Sequence, residues 1–335
     1  MPLQDHEIIW RPSALVSDST PAQNGGRMRF GAAIASGVKN NLLPDVSRAE
    51  REAGAVKWRK AFIHVASADD SPLLNARVFI DAPTAGDDFV VLVPGTASDT
   101  EDQIAGRAYG VGRLAEPLAA DDDVAVVVGE HAAYATLQPF RVGDLVRIAD
   151  RPATGGAGNE AFVTLTDVSW SGAEVTLAFT PALSTGFGTA DTVVSSVIER
   201  AEIAAAIGNF VVTSALGTFD GADDGHAVAV ARGTPDDAWL LTFTSASAFS
   251  VAGLASGAVG SGSIHADFAP LNPATGLPLF RFDMDAWGGT WVAGDTLSFV
   301  TAAAALSIWY RREVPAGAGS LDYTAASVAI QGESA

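Results

Sequence analysis

"QPFRVGDLVRIAD" runs from Gln138 to Asp150, and a relative of it, "GTWVAGDTLSFVT", runs from Gly289 to Thr301. Both place an aromatic residue, two intervening residues, Gly-Asp and then alternating apolar positions. Alternation with period two predicts a strand with one buried face. Gly-Asp ahead of it predicts the turn that opens the strand: Gly supplies a positive φ and Asp an Asx-type hydrogen bond. Its double occurrence predicts corresponding corners in two β-modules, through duplication or through convergence on the same turn.

The surrounding chain reads the same way. Strands are predicted at "VKWRKAFIHVAS", "ARVFIDAP" and "DFVVLVPG", and then from residue 124 at "VAVVV", "HAAYATL", "AFVTLTDVSW" and "EVTLAFT". Further candidates are "HAVAVAR", "AWLLTFTSAS", "LPLFRFD", "LSIWYRREV" and "SVAIQ". Turn signals every 8–12 residues mark a sandwich or barrel. Short helices are predicted at Ser47–Ala53, where Ser47 and Glu50 form a capping box before Gly54, and after a second box at Ser98 and Glu101. "VIERAEIAAAIGNFVV" (residues 197–212) begins with helix-like spacing at Ile198, Ile203 and Ile207. The expected fold is mainly β, with α+β character on the N-terminal side: β-sandwich or barrel-like modules, short helices and an extended N-terminal arm. The expected divisions are an arm at 1–45, a first β-rich domain at 46–195 and a second at 196–335, the last boundary lying near 190–215.

Composition narrows the function. With no cysteine in 335 residues, disulfides, Cys-ligated zinc and thiol catalysis are excluded. "MPLQDHEIIW" has no basic region followed by an apolar core, and no apolar run approaches the roughly 20 residues of a membrane span. A soluble protein released in the cytoplasm where it is made, without membrane contact, is expected. The net charge is −19 and uneven: residues 1–60 hold nine Lys/Arg and six Asp/Glu, and the rest hold eleven against 33. A basic leader on an acidic body points either to a locally basic surface or to docking of one copy's leader on the next copy's body. The acidic body disfavours free nucleic-acid binding.

No G-x-S-x-G, Walker A, H-E-x-x-H or dinucleotide fingerprint occurs, and "GVGRLA" (residues 110–115) follows a helical segment instead of a strand. His6, His64, His131, His226 and His265 are scattered. Asp220, Asp223 and Asp224 offer oxygens for Ca²⁺ without EF-hand spacing, and a solvated acidic turn accounts for them better. Trp287, Trp291, Trp309 and Tyr310 form either an aromatic platform or core packing, and the Ala-rich surroundings favour the core. No cofactor and no enzymatic activity are expected.

"WRPSALVSDSTPAQNGGRM", "LLPDVSRAEREAGAVKWRKAFIHV" and "LSIWYRREVPAGAGS" resemble tail-module virion structural proteins of Mu-like tailed phages with long tails. The resemblance covers both ends of the chain and carries over no site residue. It implies a structural part of the particle, located in the virion tail, whose partners are copies of itself and other virion proteins. A tail tube of stacked rings suits the acidic body, since an acidic channel lets DNA pass without specific binding. Arg48, Arg51, Lys57, Arg59 and Lys60 are then the expected intersubunit contacts. The alternatives are a capsid decoration, a head–tail connector, a tail-tip protein, or a glycan-binding receptor protein using Trp287 and Trp291.

Overall fold

The computed structural model describes residues 2–151, 158–223, 225–322 and 324–335. Strand makes up 48% and helix 7%, which is the mainly β fold that the alternation predicts. The organising element is the strand Ala55–Val65. It pairs antiparallel with Ile8–Leu15 on one side and with Ala305–Val314 on the other. Gly25–Met28 and Phe89–Pro94 complete this five-stranded sheet. A second sheet, ordered Ile198–Ile203, Leu73–Ala82, Ser327–Ser334, contributes to the same core. Ile63, Val78, Ile80, Leu92 and Ile308 fill the space between them. The run Arg59–Val65 is buried at every position, so the alternation visible at its start disappears where neighbours cover both faces.

Two units are inserted into this central sandwich. The first is a closed six-stranded barrel built between Val111–Leu114 and Thr192–Ser196. Its interior is filled by Phe140, Val146, Val163, Leu177 and Val194, so the barrel is a solid core and not a pore. The second spans Ala206–Thr213 to Thr296–Ala302. It is an open sheet ordered Ala206–Thr213, Thr296–Ala302, Asp237–Phe243, Ala248–Gly253, Gly257–Ser263. One face carries Trp239, Phe243, Phe249 and Phe299, packed on Trp291, Phe280 and Phe282.

This topology revises several expectations. The sheets do not divide at residue 196, because the strands Ala305–Val314 and Ser327–Ser334 return to the partners Ala55–Val65 and Leu73–Ala82. The leader is not a free arm: Ile8–Leu15 and Gly25–Met28 form one edge of the central sheet. Residues 198–213 are two strands, Ile198–Ile203 and Ala206–Thr213, because Ile198 pairs opposite Val78 and Ile207 opposite Thr301. "HAAYATL" holds a helical turn, Tyr134–Leu137, which buries Tyr134 against Phe89. The helix Arg48–Ala53 has the predicted Ser47–Glu50 capping box. The second box is formed by Thr100 and Gln103 around a 3₁₀ turn, not by Ser98 and Glu101.

The two Gly-Asp corners have the same geometry. Gly143 and Gly294 have φ of +88° and +97°. Asp144 accepts a hydrogen bond from the Arg141 N–H at 2.8 Å, and Asp295 from the Val292 N–H at 3.0 Å. Each Gly N–H bonds a neighbouring strand, to Leu165 O and Phe243 O, and each Asp carbonyl accepts the N–H of that same residue. The preceding aromatics, Phe140 and Trp291, are both buried. The partner strand follows the corner in the first unit and precedes it in the second. The same turn therefore sits in two differently ordered sheets.

Candidate intersubunit surface and buried charge pairs

The five expected contact residues fall into two groups. Arg48 and Arg51 lie on the short helix; Arg48 is exposed and pairs with Glu52 one turn away at 2.6 Å. Lys57, Arg59 and Lys60 stand on the central strand and have partners within the chain. Lys57 contacts Glu50 at 2.6 Å and Asp18 at 3.5 Å, and Arg59 also binds Asp18. These contacts are internal to the leader: Asp18 pairs with Lys57 and Arg59 of its own chain.

Lys60 is fully buried, which removes it from any intersubunit surface. Its ammonium donates to Gly26 O at 2.7 Å, Asp99 O at 3.1 Å and Asp99 Oδ1 at 2.6 Å, so all three donors are satisfied. Asp99 Oδ2 accepts from Trp309 Nε1 at 2.8 Å, and Oδ1 also accepts from the Thr96 N–H at 2.9 Å. Burial pulls the Lys60 pKa down, against the opposing pull of Asp99. Burial alone would raise Asp99, but hydrogen bonds from Lys60 and Trp309 hold its carboxyl below the usual range. A lysine with every donor engaged is a fastener, not a nucleophile. The pattern K-A-F in a buried strand was the only sequence signal; its partner lies 39 residues away.

The aromatic cluster is core. Trp291 stacks on Phe243 at 4.2 Å with an interplanar angle of 9°, and Trp309 is buried beside Trp58 in another core. These buried rings present no platform to a sugar. The histidines are not gathered at one site: His64 is buried, His131 stacks on Phe89, and His265 is exposed. Among the described residues, Asp220, Asp223 and His226 are grouped with ligand-type atoms within 4.8 Å of one another; Asp224 lies outside the described residues. The Asp220 carboxylate already accepts the N–H groups of Ala222 and Asp223, as in an ordinary Asx-capped turn.

A cleft of about 650 Å³ is lined by residues from 34–46, 318–322 and 324–328. Arg312 is buried against it and donates from Nη1 to Pro44 O at 2.7 Å. Asp88, also buried there, has its pKa raised by burial against the opposing effect of Arg312. The opposite charges of these two side chains offset one another, while Arg312 Nε and Nη2 are buried without a hydrogen-bond partner.

On the barrel, exposed acids outnumber the exposed bases Arg113, Arg141 and Arg151. Glu116, Asp121, Asp123, Asp167 and Glu174 are exposed on the barrel. No helix among the described residues is long and apolar enough to cross a membrane. No protein-family model, no curated protein and no solved structure matches the chain.

Proposed function

We propose that this chain is a non-enzymatic structural part of a phage virion, and within the virion a tail-tube building block that stacks in rings around an acidic channel. The observation that carries the proposal is the acidic exterior of a solid barrel. The barrel's interior is full, so a conduit can arise only between copies, and the exposed acids Glu116, Asp121, Asp123, Asp167 and Glu174 are available to line it. Like charges would keep passing DNA from adhering. The use of Lys57, Arg59, Lys60 and Asp99 as internal fasteners also suits a rigid building block.

Negative-stain electron microscopy of the purified protein, across concentration and salt, tests this role. Hollow rings or tubes are the expected result. Discrete monomers throughout would overturn the tube and direct attention to a decoration, connector or tip position in the particle.

A further inference from the structure

The outward face of the second inserted sheet carries no charge. Its five strands contain one ionisable residue, Asp237, which is buried on the other side and caps the Ala255 and Ser256 N–H groups at 3.0 and 2.8 Å. Cross-strand register places Thr213, Thr296, Thr242, Ser250 and Ser261 in one row across the sheet. The next row is Val211, Ser298, Leu240, Ala252 and Ala258. Beyond it stand Gly208, Val300 and Ala238, with the Leu254 N–H bonded to Ala238 O. Val211, Leu240, Val300 and Leu254 are 58%, 49%, 39% and 85% exposed.

A solvated face of an antiparallel sheet is ordinarily polar. The barrel of this same chain obeys that rule, with Glu160, Asp167 and Glu174 on its outward positions. The second sheet is polar only through uncharged hydroxyls, those of Thr213, Thr296, Thr242, Ser250, Ser261 and Ser298, and turns no ionisable group outward in a molecule with 39 acidic residues. We propose that this face is a contact between two copies of the chain. Copies that each carry −19 repel wherever their acids meet, so a charge-free face is where they can approach without that cost. The face also alternates large and small side chains, which lets two copies interdigitate. Val211, Leu240 and Val300 project, and Gly208, Ala238 and Ala252 leave hollows between them. Five strands about 4.8 Å apart and seven residues of about 3.3 Å rise give roughly 550 Å² in projection. A standard interface buries roughly 800 Å² per partner, so this face alone accounts for the greater part of one.

The proposal rests on the self-assembly part of the role above, and its test is separate. The chain has no cysteine, so single-cysteine variants report contacts cleanly. Ser250→Cys, Ser298→Cys and Ala252→Cys are each treated with a short bismaleimide, alongside Thr166→Cys on the barrel exterior. The expected result is covalent dimer from at least one face variant and none from Thr166→Cys. Leu240→Asp, whose side chain is already half in water, should keep the wild-type melting profile while self-association by light scattering weakens by about a hundredfold or more. Wild-type protein that stays monomeric, face variants that cross-link no faster than the barrel control, or a Leu240→Asp protein that associates as before would each overturn the contact. Tubes that form equally well with Leu240→Asp would overturn this face and leave the tube proposal standing.

Discussion

The His64 imidazole donates from Nε2 to the carbonyl oxygen of Ala231 at 2.7 Å, joining residues 167 positions apart. The tautomer follows from the other ring nitrogen. Arg11 Nε donates to Nδ1 at 2.7 Å, and a guanidinium can only donate, so Nδ1 is bare and the proton sits on Nε2. Arg232 adds to the same joint, donating from Nε to Ala66 O at 2.8 Å and contacting Glu7 at 3.1 Å. The central sandwich and the second insertion are pinned here.

The joint is acid-sensitive. Burial pulls the His64 pKa from 6.5 to about 4, with Arg11 acting in the same direction and the Ala231 carbonyl opposing. Between these values the unfolded chain binds the proton and the folded chain does not. Stability is therefore fully present above about pH 6.5 and is lost as pH falls toward 4, by up to about 3 kcal/mol. Thermal melts at pH 7.5, 6 and 4.5 should show this slope, and His64→Gln should flatten the part of it that His64 supplies. An unchanged slope in that variant would contradict the assignment.

Lys60 and Asp99 form a second fastener with a different signature. Asp99→Ala leaves a buried ammonium without its counter-charge and should cost about 3–5 kcal/mol. Lys60→Met combined with Asp99→Ala removes both charges and should cost much less than the two single changes together. Denaturant titrations of the four proteins measure that coupling.

The two Gly-Asp corners should respond in parallel. Asp144→Ala and Asp295→Ala each remove the acceptor that closes the turn, at about 1–2 kcal/mol. Asp144 also holds Arg107, whereas Asp295 holds the neutral Ser214 hydroxyl, so the first substitution should cost more. Gly143→Ala and Gly294→Ala place a side chain at positive φ and should each destabilise by about 1 kcal/mol. Melting temperatures of the four variants check the ranking.

Arg48→Ala with Arg51→Ala separates assembly from folding. The Arg48–Glu52 pair is exposed, so the melting profile should stay close to wild type. Ring or tube yield in negative stain should fall if this helix contributes to a neighbour contact. Arg59 and Lys60 are unsuitable for that test, since their loss weakens the chain itself.

Local features were the legible ones. The strand alternations, the Ser47–Glu50 box and both Gly-Asp corners depend on residues within a few positions of one another. "HAAYATL" alternates like a strand, but its turn is helical because Tyr134 must enter the core beside Phe89. Ile198, Ile203 and Ile207 have near-helical spacing, but register with Leu73–Ala82 and Thr296–Ala302 decides the outcome. The burial of Lys60 depends on Asp99 and on the return of Trp309, neither of which is local. The uncharged sheet face is written plainly in its five segments, yet it becomes a surface only when register sets Leu240 beside Ser298 and Ala252.

The strand Ala305–Val314 lies between Ala55–Val65 and Phe89–Pro94, which do not pair with each other. During synthesis the barrel segment emerges complete long before that strand does. Until it arrives, the central sheet is split into two pieces with open edges. A chain cut short before residue 305 could close its barrel but would have no middle strand to join its halves. Conformational maturity is thus tied to translation past residue 314, and products cut short before it are marked by their exposed edges.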